Sequence, residues 1–169
     1  MKTKVAIGLL LIIFGKSLSA SEDARINRID MSDFTVFSSK GFFALGDDVT
    51  SLNIDFDHPK SIIKSVSGAM WNELVYENED INIHTFSGWP EIIQIILLSQ
   101  EYTTKRGIHI GSTRDELFSV YLSNEFQPFR DGFIAFFPMA SGESHYPVYL
   151  YFEISNDLVS SIEFGRTVD

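Results

Sequence analysis

The sequence predicts an α+β fold: two tandem units of a short helix plus antiparallel strands, forming one sheet with the helices on one face. Three observations predict it. Residues 103–121 (TTKRGIHIGSTRDELFSVY) read as a short strand, a glycine turn and a capped amphipathic helix. A weaker version of the same pattern lies around residues 43–56. Each version is followed by paired runs of strand-forming residues.

The first twenty residues stand apart from that fold. Lys2 and Lys4 form a positive start, residues 5–14 an apolar run, and residues 17–20 a mostly small-residue end. This is the layout of a cleavable secretory signal, with cleavage after Ala20 and an uncleaved anchor as the competing reading. The apolar run is about half the roughly 20 residues a spanning helix needs, so no membrane span is expected after its removal. The expected location is periplasmic or secreted.

Charge and cysteine content narrow the function. Lys and Arg number 13 against 23 Asp and Glu, a formal net charge of −10, and three of the lysines lie in the signal. Phosphate neutralisation needs clustered cations, so a nucleic-acid partner is not expected. The chain has no cysteine. That excludes a thiol nucleophile, thiolate metal sites, a lipid-modified cysteine and disulfide support, leaving the fold to packing alone.

Along the chain the reading divides into a signal (1–20), a polar leader (21–40), a first unit (41–100) and a second (101–169), the units forming one continuous domain. In the first unit Asp47 is the expected helix cap, and Val49, Leu52 and Phe56 fall on one helical stripe that Pro59 ends. Residues 71–76 read as a strand. Ile81, Ile83 and Thr85 alternate with Asn82, His84 and Phe86 as one arm of a hairpin; 92–98 is the other. In the second unit Ser112 is the expected cap, with Asp115 three residues on, and Leu117, Val120 and Tyr121 form the buried stripe. Residues 133–137, 148–154 and 158–164 read as strands.

The units overlay. Leu45, Gly46, Asp47, Leu52 and Phe56 match Ile110, Gly111, Ser112, Leu117 and Tyr121 in character. After a slip of two residues, Ile81, Ile83, Ile92, Ile95 and Leu97 match Val148, Leu150, Val159, Ile162 and Phe164. An Ile/Leu-Gly turn, a cap, a short helix and antiparallel strands resemble the BamE and β-lactamase-inhibitor-protein architecture. Residues 104–111 (TKRGIHIG) also resemble repeated units of small exported proteins of unknown function. The resemblance implies an α+β fold and, for the inhibitor type, binding of a protein through the exposed sheet face. The chain departs from the inhibitors in lacking disulfides and from the lipoproteins in lacking a lipidation cysteine.

No catalytic or metal-ligating set is expected, and no cofactor. His58, His84, His109 and His145 are dispersed, and none stands four residues from another. Ser112 lies near His109 and Asp115 but lacks the G-x-S-x-G elbow of a hydrolase nucleophile. The acidic runs at Asp55-Asp57 and Glu77-Glu79-Asp80 lack calcium-loop spacing. The candidate surface is instead the face of strand 148–154 that carries Tyr149 and Tyr151, opposite Val148, Leu150, Phe152 and Ile154. Tyrosine offers rigid area with a polar tip, which suits protein recognition. Phe133, Phe137, His84, Phe86 and Trp89 are expected to extend that patch. The function this predicts is an exported, non-enzymatic protein-binding or inhibitor-like module. The alternatives are an envelope-assembly or structural factor and, remotely, a small hydrolase.

Overall fold

Among the described residues, 28–56, 58–66, 69–137 and 147–167 of a computed structural model, the regular structure is eleven strands, one seven-residue helix and three short 3-10 turns. The expected signal, residues 21–27 of the leader and the small-residue loop at 140–144 lie outside the described residues.

The architecture is mainly β, which corrects the α+β expectation. A small sheet has the order β2-β1-β7, with β1 (Thr35–Ser38), β2 (Gly41–Ala44) and β7 (Thr103–Thr104). A large antiparallel sheet has the order β3-β4-β5-β6-β11-β10-β9-β8. Its first half is β3 (Lys60–Val66), β4 (Ala69–Glu77), β5 (Ile81–Phe86) and β6 (Trp89–Leu97). The second is β8 (Gln127–Phe129), β9 (Gly132–Phe137), β10 (Val148–Ser155) and β11 (Leu158–Arg166). The helix, α1, spans Arg114–Val120.

Only one of the two expected helices forms. Val49–Ser51 makes a single 3-10 turn capped by Asp48, and residues 52–56 run on without helix. Thr50, Asn53, Ile54 and Asp55 are indifferent helix formers, and a helix nucleus is costly in so short a segment. The apolar stripe is used all the same. Val49 is buried, and Leu52 and Phe56 pack against the core.

That core lies between one face of the large sheet and the layer made by the small sheet, the 3-10 turns and α1. Val148, Leu150, Phe152, Ile162 and Phe164 from β10 and β11 meet Ile81, Ile83, Ile95 and Leu97 from β5 and β6. Phe34 stacks edge-on to Phe164 at 6.4 Å, and Tyr121 covers Phe152 at 5.6 Å. The leader takes part from at least Arg28. Ile29 is buried and its amide donates to Glu125 Oε2 at 3.0 Å.

The two units share a set of backbone contacts. Gly46 N–H donates to Ile92 O and Ile92 N–H to Asp47 O; Gly111 and Val159 do the same, with Ser112 in place of Asp47. The single bridges Asp48↔Glu91 and Thr113↔Leu158 follow in step. Asp47 Oδ2 accepts from Ala44 N–H, as Ser112 Oγ accepts from His109 N–H. Gly46 and Gly111 both stand at φ +92, where a side chain is strained, so the glycine of each turn is demanded by its backbone. The two halves join where β6 meets β11, with Ile95↔Phe164 and Leu97↔Ile162 flanking Ile96↔Glu163. That register is unchanged by exchanging the halves, which is a pseudo-two-fold seam.

Two details of the overlay are corrected. The caps lie one residue later than expected, at Asp48 and Thr113, because Asp47 and Ser112 turn back to the preceding loop. In the ladders Ile81 pairs with Leu97 and Leu150 with Phe164. Ile81 therefore corresponds to Leu150, not Val148, and Ile83 to Phe152. The first hairpin is longer by two residues at its bulged end, with register shifts at Thr85.

Candidate functional site

The face of the large sheet away from the core carries a transverse row fixed by strand register. Lys60, Val75, His84, Gln94, Gly165, Tyr149 and Phe136 are successive cross-strand partners from β3 to β9. Strands lie about 4.8 Å apart, so His84 to Phe136 spans roughly 20 Å.

Tyr149 sits next to the β9 end of this row. Its ring lies over Gly165, where an added Cβ would come 2.5 Å from the ring, so the glycine makes the space the tyrosine fills. Its hydroxyl donates to Glu163 Oε1, which also accepts from Gln94 Nε2. Burial, followed by the bond to the Glu163 carboxylate, raises the Tyr149 phenol well above its ordinary range. The hydroxyl is therefore a fixed donor.

Around it lies a shallow recess of about 190 Å³, lined by Phe129, Ile134, Phe136, Tyr149, Tyr151 and Glu163 among others. Phe136 is 47% exposed and Phe129 41%. Tyr151 belongs to the same face but is buried, with its ring perpendicular to Phe129 at 5.8 Å. Arg130 lies over the outer side of Phe129, 4.9 Å from the ring centre.

At the other end of the face His84 Nδ1 is paired with the buried Glu73 carboxylate. Trp89, 70% exposed, stands opposite Phe86 at the tip of the β5–β6 hairpin. Gln94, Ile96 and Glu163 separate this group from the Tyr149 recess.

The structure thus places Tyr149, Tyr151, His84 and Trp89 on the outer face and Phe133 and Phe137 on the other. Phe133 pairs with Phe152 and Phe137 with Val148, both core residues. Phe133 packs edge-on against Phe118 of α1 at 5.0 Å, and Phe137 lies 6.4 Å from Phe34. The aromatic wall that β9 gives to the outer face is Phe136, with Ile134 beside it. β8, which supplies Phe129, has no counterpart in the sequence reading. Its signal was faint: three residues, one of them Pro128.

The histidine and serine positions have local roles. His109 Nδ1 lies 2.8 Å from its neighbour's carbonyl, Ile110 O, and Ser112 is buried with its hydroxyl on the His109 amide. Among the described residues no group of three or more His, Asp or Glu could hold a metal ion. No described helix is long and apolar enough to cross a membrane.

No family model matches the chain, and no curated protein matches it. Among solved structures it is similar to the uncharacterized protein yfeY from Escherichia coli. The match has 18% identity and a TM-score of 0.40, and covers 64% of this chain and 81% of that one.

Proposed function

We propose that the protein is an exported, non-enzymatic module that binds another protein through the outer face of its large sheet. The observation that carries this reading is the row from His84 to Phe136. It presents exposed Phe136 and Phe129 around a tyrosine whose hydroxyl and ring are already held in place. Aromatic side chains with little freedom left to lose are favourable anchors. The roughly 20 Å span suits one side of a standard protein interface.

Phe136→Asp and Trp89→Ala test it, because both side chains are exposed and neither supports the core. A partner retained by the parent protein from the exported fraction should be lost by Phe136→Asp at unchanged thermal stability. If both variants retain every partner of the parent, the outer face is not the binding surface. Export is tested separately: intact mass of the mature protein should correspond to a chain starting at Ser21.

A further inference from the structure

The repeat lets the two edges of the large sheet, as formed by the described residues, be compared, and they differ. Phe129 and Gly132 pair across β8 and β9 with only Arg130 and Asp131 between them. Lys60 and Val75 pair across β3 and β4 at the corresponding place, and residues 61–74 lie between them. The first unit therefore carries a long hairpin where the second makes a tight turn. Within the sheet β4 first meets β5 at Glu73↔Phe86, so beyond it β4 pairs with β3 as a two-stranded arm.

This arm is unlike the rest of the chain. Ile63 is 67% exposed and Met70 70%, on the same face of the ribbon, and Ile62 is 41% exposed on the other. Residues 60–71 hold two lysines and no acid in a chain of net charge −10. An isolated two-stranded ribbon is marginal in water, and a long exposed apolar edge strand is a template for further pairing. The opposite edge is blunted: β8 has three residues with Pro128, which cannot donate to a ladder, in the middle.

We propose that β3 pairs with β3 of a second copy, antiparallel about Ile63, extending the sheet across a two-fold axis. The strand complements itself in this register. Ile63 lies opposite its own mate, Ser61 opposite Ser65, Ile62 opposite Lys64 and Lys60 opposite Val66. Moving the centre to Ile62 or Lys64 sets lysine against lysine, which is unfavourable. This pairing repeats between copies the edge-to-edge joint that β6 and β11 make within one chain. Because Pro128 blunts the far edge, the assembly closes as a dimer instead of growing.

The test uses the purified protein in sedimentation and a single-cysteine cross-link, since the chain has no cysteine of its own. The parent should sediment as a concentration-dependent dimer. Directly opposed residues of antiparallel strands lie within disulfide reach, so Ile63→Cys should form a covalent dimer on mild oxidation. Phe42→Cys, at a site 73% exposed on β2, should not. Ile63→Lys should weaken association at least about tenfold with the circular dichroism unchanged. A protein that stays monomeric up to about 1 mM overturns the proposal. So does a dimer in which Ile63→Cys cross-links no faster than Phe42→Cys.

Discussion

Arg106 ties its own loop to the 28–33 segment and to the end of α1. Its guanidinium donates to both oxygens of the buried Asp33 at 2.6 Å, to Val120 O at the end of α1 at 2.8 Å and to Arg28 O, and lies 4.5 Å over the Tyr121 ring. Removing one partner of a buried pair strands the other's charge. Arg106→Ala is therefore expected to cost about 3–5 kcal/mol in denaturant unfolding, and Arg106→Lys much of that, because an ammonium cannot match the fork. Gly165→Ala should be similarly specific: its methyl would enter the Tyr149 ring, for a loss of about 1–3 kcal/mol. The titration behaviour follows from the tyrosines. Burial raises the phenols of Tyr121 and Tyr149 above the ordinary value of 10.0. The unfolded chain then ionises first, so stability is full below about pH 10 and is lost as pH rises beyond it. Melting temperature should fall in alkaline buffer, and less steeply for Tyr149→Phe. At this scale the sequence was a partial guide. In 148–151 aliphatic residues and tyrosines alternate, and the outward placing of Tyr149 followed from it. In GFIAFF nearly every position is apolar, so parity was invisible and Phe133 stood in for Phe136.

The elements were legible where period and punctuation agreed. β5 alternates cleanly, and α1 has a stop, a cap and a stripe. Its cap is the reciprocal pair of Thr113 and Glu116, with Glu116 Oε2 accepting from Thr113 N–H at 2.7 Å and Thr113 Oγ1 from Glu116 N–H at 3.1 Å. Those bonds from the Thr113 amide, then its hydroxyl, hold the Glu116 carboxyl below its ordinary value. For a helix of seven residues Thr113→Ala should cost about 1 kcal/mol, seen as a lower denaturation midpoint at unchanged slope. Apolar spacing alone did not disclose that Val49, Leu52 and Phe56 could reach the core from an extended segment. Nor could period-2 patterning register a two-residue difference between hairpins, since a slip of two keeps every side chain on its face.

At the scale of the molecule the two units are not separable domains. β1 and Asp33 of the leader pair with β7 and Arg106 of the second unit, and β6 of the first unit pairs with β11 of the second. Residues 21–100 and 101–169 expressed apart should each lack dispersed amide resonances, and mixing them should restore the spectrum of the intact chain. A mixture that stays undispersed, or a half that folds alone, would contradict that.

The position of β11 has a consequence for the order of folding. Its nine residues, Leu158–Arg166, follow every other described strand in the sequence, yet they lie at the centre of the large sheet between β6 and β10. The earlier strands can form hairpins with their neighbours, but β6 waits with one raw edge until β11 arrives. The contacts that complete the sheet thus combine long sequence separation with late synthesis, which makes closure slow and its precursor prone to mispairing. Deleting Leu158–Arg166 would remove the strand that joins the two halves of the large sheet.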